Sequence, residues 1–214
     1  MTTTKKIIVR LACATVLGTA GVALTQVNRP QTAVVNAATT SVAARALGVD
    51  VASYQNADLS SHAQAGAQFA IVKVSEGTSY RNPKASSQIS TALSNNMMPM
   101  AYHFATFSSN ASAAAAEANY AIQTAQAFGL PKGSYIACDY ETGSGNNIYG
   151  GKTPTANAII AFMDTIKNAG YKPLLYASSS VLQNNIDTNS VIAKYHNSLW
   201  VDSYAISGRI DSPN

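Results

Sequence analysis

The sequence predicts an α/β protein built on a parallel sheet. Three observations carry that reading. Short apolar or β-branched runs recur along the chain, segments of helical character separate them, and glycine and proline fall at the joins where helices begin and end.

Each element follows in order. Strand candidates are Leu47–Val51, Phe69–Ser75, Met98–Phe104, Tyr135–Glu141, Pro173–Ala177 and Leu199–Tyr204, each a compact run of the kind buried on both faces of a sheet. Between them lie helix candidates at Leu59–Ala65, Pro83–Asn95, Ser112–Phe128, Thr155–Asn168 and Ser190–Tyr195. Gly129 and Gly170 stand where C-terminal caps belong, and Pro154 suits a first helical turn. A strand–helix unit of about 30 residues fits an open doubly wound sheet and a closed barrel alike. The chain shows no internal repeat and no second domain.

The N-terminus has the order of a secretory leader. Lys5, Lys6 and Arg10 form a basic start, Leu11 to Leu24 is uncharged and apolar, and Val35-Asn36-Ala37 offers small residues for cleavage. The apolar run of about 14 residues is shorter than a bilayer-spanning helix needs. Residues 1–37 are therefore expected to be a signal peptide, 38–46 a spacer and 47–214 the functional domain. The formal charge of +4 belongs to that leader, because four of the 14 basic residues (Lys5, Lys6, Arg10, Arg29) and none of the ten acidic ones precede Ala37. The remaining chain is neutral and has no basic stripe, which excludes the nucleic-acid class. Cys138 is left alone after Cys13, so no disulfide within the mature chain is expected. The protein is expected to be secreted or wall-associated, free of the membrane after cleavage, and monomeric.

A glycine-rich stretch, Thr142 to Thr153, follows the fourth strand candidate. It resembles a phosphate cradle only loosely, because Gly151 intervenes between Gly150 and Lys152-Thr153. It reads instead as a mobile loop at the rim of a cleft.

The chemistry concentrates at strand ends. Asp139 and Glu141 lie two apart at the end of an apolar strand, so both project from one face with Cα atoms roughly 6–7 Å apart. Paired carboxyls raise each other's proton affinity, and one can act as an acid while the other stays ionised. Asp50, His103 and Asp202 end other strand candidates, and parallel α/β folds build their sites at such ends. Tyr54, Tyr102, Phe104, Tyr140, Tyr176, Trp200 and Tyr204 accompany them. Aromatic faces beside carboxylates suit sugar rings.

At this point the sequence resembles glycoside hydrolase family 25, the Chalaropsis-type lysozymes of phage endolysins and bacterial autolysins. The resemblance is carried by Gly48-Val49-Asp50-Val51-Ala52-Ser53-Tyr54-Gln55, Phe69-Ala70-Ile71-Val72-Lys73-Val74-Ser75-Glu76-Gly77, Pro99-Met100-Ala101-Tyr102-His103-Phe104, Asp139-Tyr140-Glu141 and Trp200-Val201-Asp202-Ser203-Tyr204. It implies a flattened, irregular (β/α) barrel of TIM-barrel type, with five β/α units followed by strands. It also implies hydrolysis of the β-1,4 bond between N-acetylmuramic acid and N-acetylglucosamine in bacterial peptidoglycan, with no metal or other cofactor. Glu141 would be the proton donor, with Asp139, Asp50 and Asp202 in the catalytic site. Tyr54, Tyr102, His103, Phe104, Tyr140, Tyr176, Trp200 and Tyr204 would bind substrate.

Six strand candidates fall short of the eight of a closed barrel, so the domain is expected to be incomplete at its C-terminal end. The rival readings are a truncated wall-binding relative without activity, and a metal-dependent hydrolase using Asp50, His103, Asp139 and Glu141 as ligands. No His-x-His or His-Glu-x-x-His motif supports the latter.

Overall fold

A computed structural model of the chain describes residues 41–202. The expected leader, the first three residues of the spacer (38–40) and Tyr204 lie outside the described residues. The strands are β1 (Gly48–Val51), β2 (Phe69–Glu76), β3 (Tyr80–Arg81), β4 (Met98–Phe104), β5 (Tyr135–Asp139), β6 (Lys172–Ser178) and β7 (Leu199–Asp202). The helices are α1 (Ser60–Gln64), α2 (Ala85–Ser94), α3 (Ala111–Ala127), α4 (Lys152–Asn168), α5 (Ser179–Asn184) and α6 (Thr188–Lys194).

All seven strands join one sheet in the order β1-β2-β4-β5-β6-β7, with β3 folded back antiparallel onto β2 and every other pairing parallel. Chain order and spatial order coincide. A doubly wound sheet needs one reversal of strand order. Without it, successive right-handed crossovers add strands on one side and keep the helices on one face. This winding settles the alternative left open by element spacing: the fold is an α/β half-barrel, a curled parallel sheet backed by helices. Among the described residues, β1 and β7 are its edges.

Local chemistry explains the joins. Gly129 (φ 84°) and Gly170 (φ 82°) take the left-handed conformation just past α3 and α4. The Leu130 N–H then reaches back to the Ala125 carbonyl at 2.9 Å, as a glycine-terminated helix requires. Helix α4 begins at Lys152, three residues before the expected start, and Pro154 falls inside its first turn where no N–H partner is lost. Strand β3 and helix α5 were not expected. They span two and six residues, too short to show a hydrophobic period.

The sheet separates two apolar layers. On the helix side, Val51, Val72, Val74, Ala101, Ile136, Cys138 and Leu175 pack against Ala118, Ala121, Ile159, Phe162 and Ile166. The alanine face of α3 lets it lie close on α4. Fully burying a side chain such as Phe162 contributes about 1.5–3 kcal/mol. On the inner, concave side, Ile71, Met98, Met100, Tyr102 and Ala137 form a second cluster joined by Phe69, Leu174 and Trp200. Strand alternation thus assigns every strand residue to the helix layer or to the hollow of the curl.

Candidate active site

One row of side chains crosses the concave face. Register pairs Glu76 with Phe104, Phe104 with Asp139, Asp139 with Tyr176, and Tyr176 with Trp200. These five residues come from β2, β4, β5, β6 and β7 and stand side by side near the carboxyl ends of their strands. Glu141 follows Asp139 by two residues on the same face. Asp202, level with Ser178, ends β7. Asp50 lies on edge strand β1, opposite Ile71.

The four carboxyls form one electrostatic unit. Asp139 is only 6% exposed, and its buried Oδ1 has no hydrogen-bond partner. Burial, then the charge of Glu141, pushes its pKa up to about 8 against the opposing pull of Lys73. Glu141 is half-buried. Its carboxyl is also raised, by burial and then by Asp202. The two members of the pair are therefore unequal. The deeper member, Asp139, has the strongly raised proton affinity, while Glu141 is the member open to the cleft. Asp50, on an edge strand, is exposed along part of its surface. It nevertheless borders an apolar cavity of about 490 Å³ shared with Ile71, Met100 and Trp200. Desolvation there, reinforced by Glu141, brings it to about 6.

The aromatic residues divide between the two faces. Tyr102 lies on the concave face with its ring edge-on to Trp200 at 6.4 Å, and Tyr176 packs on Trp200 at 4.5 Å. Burial, then Asp50, Asp139 and Glu141, raises the Tyr102 hydroxyl far above its ordinary value, so it stays a neutral donor. Phe104 occupies the same face, under the ammonium of Lys73. Tyr54 is 93% exposed in the loop after β1.

Two expected substrate contacts are corrected. His103 is fully buried on the opposite side of the sheet, with Nδ1 2.8 Å from Ser75 Oγ and Nε2 2.9 Å from Glu117 Oε2 on α3. Burial holds its pKa down, so the ring is neutral, donating from Nε2 to Glu117 and accepting from Ser75 at Nδ1. The Thr106 N–H and hydroxyl also donate to Glu117. Ser75, His103 and Glu117 have the connectivity of a hydrolytic triad, but they are sealed in the core and reach no cleft. Tyr140 is likewise 0% exposed, packed on Phe107, with its hydroxyl donating to the Ser108 carbonyl at 3.0 Å. With His103 behind the sheet, Asp50, His103, Asp139 and Glu141 cannot share a metal ion. Among the described residues, no three His, Cys, Asp or Glu side chains are placed to do so.

The structure adds residues that sequence reasoning did not select. Lys73 Nζ lies 2.6 Å from Glu76 Oε2 on the concave face. A register shift between Lys73 and Ser75 makes this pairing possible by turning Ser75 toward His103 and Glu76 toward the cleft. Asn146, 6% exposed, donates to the Glu141 carbonyl at 2.8 Å and accepts from the Ser108 N–H at 2.8 Å. The Asn147 N–H donates to Ser108 Oγ. The loop expected to be mobile is thus tied to the segment after β4, and it forms a fixed wall beside Glu141.

The fold has counterparts among known proteins. Residues 49–213 match the family described as Glycosyl hydrolases family 25. The lysozyme of Lactococcus phage mv1 is 41% identical over 159 residues, 73% of this chain and 78% of that protein. The modular Cpl-1 endolysin, solved complexed with a peptidoglycan analogue, superposes with a TM-score of 0.63 at 31% identity, covering 74% of this chain and 44% of that one. The muramidase from Trichobolus zukalii superposes with a TM-score of 0.61 at 26% identity, covering 76% of this chain and 80% of that one.

Proposed function

Because the chain belongs to glycosyl hydrolases family 25, we propose that the carboxyl row is its catalytic centre and that Glu141 delivers the proton. The protein is a glycosidase of the lysozyme type that hydrolyses bacterial peptidoglycan. The bond attacked is the β-1,4 link between N-acetylmuramic acid and N-acetylglucosamine.

One observation carries this reading. The ends of three strands, β1, β5 and β7, bring Asp50, Asp139, Glu141 and Asp202 to one face, and the proton affinities of Asp50, Asp139 and Glu141 are raised there. A glycosidic oxygen leaves only when protonated. Glu141 is raised, open to the cleft and set beside the buried Asp139, so it gives its proton to that oxygen as the C–O bond breaks. The positive charge developing on the sugar ring faces the neighbouring carboxylates. Water then supplies the hydroxyl of the new reducing end, and its proton returns to Glu141. Asp139, behind Glu141, serves as the proton-sharing partner. Tyr102, Tyr176 and Trp200 offer ring faces and a neutral hydroxyl to the sugars, and Phe104 and Tyr54 extend that surface.

The chain spans 44% of the Cpl-1 endolysin, so the fuller biology is also proposed: export by the leader, action at the wall, and a monomeric state. N-terminal sequencing of extracellular protein should begin within a few residues of Ala38; a start at Met1 or Thr2 would count against export by cleavage. The function itself is tested by incubating the protein with purified peptidoglycan. New reducing ends should be muramic acid residues. Release of free amino groups without reducing ends would point to a peptidase instead.

A further inference from the structure

The concave face carries one more charged group whose placement bears on the reaction. Lys73 projects from β2 into the space bounded by Asp50 on β1, Tyr102 and Phe104 on β4, Asp139 at the end of β5 with Glu141 just beyond it, and Tyr80 on β3. Its ammonium is fixed from three sides. Glu76 Oε2 accepts from it at 2.6 Å, the Phe104 ring lies 4.8 Å away and the Tyr80 ring 5.5 Å away. Three anchors of this kind cost a lysine its usual freedom. They also hold the positive charge in place, where a solvated lysine would swing away from the carboxyls. The register shift in β2 is what supplies Glu76, because regular alternation would have turned that side chain toward the helices.

We infer that Lys73 is a positioning residue of the hydrolytic site, a fixed counter-charge that keeps part of the carboxyl cluster ionised and so sets the lower pH limit of activity. The inference rests on the glycosidase reading above. The surroundings require such a charge. Asp50, Asp139, Glu141 and Asp202 crowd one face of a partly desolvated sheet, and burial and mutual repulsion drive Asp50, Asp139 and Glu141 toward the neutral form. A glycosidase needs one carboxyl protonated and another ionised at the same pH. Lys73 opposes the upward drift of Asp50, Asp139 and Glu141 alike. The anchoring carboxylate, Glu76, takes no share of the proton. Burial pushes its pKa up, but the bond from Lys73, aided by Ser144, holds it below its ordinary value. His103, across the sheet, is kept neutral by burial and adds no charge.

The test compares Lys73→Met and Lys73→Arg with the parent protein in two ways: the pH dependence of reducing-end release from peptidoglycan, and the titration of side-chain carboxyls by carbon NMR. Met keeps the length and removes the charge, while Arg keeps the charge. The Met variant should move the acid limb of the activity profile upward by about one pH unit, the size of a single charge acting across a partly screened site. Carboxyl titrations should rise with it, and Arg should restore most of both. If Met fails to fold, Lys73→Gln removes the same charge. An unmoved acid limb with unmoved carboxyl titrations in a folded, charge-deleted variant overturns the inference. If the parent protein releases no reducing ends, the glycosidase reading fails, and the NMR titrations still decide whether Lys73 governs the carboxyls.

Discussion

Asp139 and Glu141 leave β5 on the same face, and the inner carboxyl of the two, Asp139, has its proton affinity raised to about 8 by burial and by the charge of its neighbour. A carboxyl in that state is a liability to the fold. The unfolded chain releases this proton near pH 4, whereas the folded protein holds it up to about pH 8. The folded state therefore binds more protons across that window, and stability falls as pH rises through it.

Asp139→Asn should remove this cost. The variant should melt higher than the parent at pH 8, by a margin worth about 1–2 kcal/mol, with the margin shrinking toward pH 4. Hydrolysis should be lost at the same time. Thermal melts at pH 4, 6 and 8 check this, and an Asn variant less stable than the parent at pH 8 would contradict it.

His103 is buried in the core, bonded to Ser75 and Glu117, where it supports the fold. His103→Ala leaves Glu117 without one of its donors and opens a cavity beside Phe162, which lies 5.5 Å from the imidazole ring. A loss of about 2–4 kcal/mol is expected, with KM unchanged in the fraction that remains folded. The parent's stability should also decline as pH falls below about 6.5, because the unfolded histidine takes up a proton there while the buried one resists it. The Ala variant should lack that part of the acid sensitivity. A raised KM in a fully stable variant would return His103 to the cleft.

Trp200 is the chain's one tryptophan, and it stands on the concave face in ring contact with Tyr102 and Tyr176. Intrinsic fluorescence therefore reports directly on the proposed cleft. Soluble peptidoglycan fragments should shift its emission saturably in a protein disabled for turnover. Trp200→Ala should weaken binding of those fragments about tenfold, or about 1.4 kcal/mol. Emission indifferent to saturating glycan would show that sugars bind elsewhere.

Much of this architecture was legible in the sequence, and the failures have physical causes. Six parallel strands and the longer helices announce themselves by apolar runs and by Gly129, Gly170 and Pro154. Spacing alone could not choose barrel-type winding over a doubly wound sheet, because strand order is a long-range property. Asp139 and Glu141 were readable as a pair through the two-residue period of a strand. The same period places Tyr140, between them, on the helix side, and places His103 opposite Tyr102 and Phe104. Membership of the family's motifs points Tyr140 and His103 toward substrate, whereas strand alternation points them into the helix layer. Lys73 and Glu76 were hidden for a different reason. Regular alternation puts them on opposite faces, and only the register shift before Ser75, which no local composition signals, brings them together. Asn146 was hidden because its role depends on Ser108, 38 residues away.

The central claim is that Glu141 donates the proton, and one substitution tests it most directly. Glu141→Gln keeps the side chain's size and hydrogen-bonding capacity but has no proton to give. Reducing-end release from purified peptidoglycan should fall by at least the roughly 10²–10⁴-fold that general acid catalysis typically provides, while the Trp200 emission shift on glycan binding persists. A Gln variant that keeps most of its reducing-end release, with binding intact, would contradict the assignment.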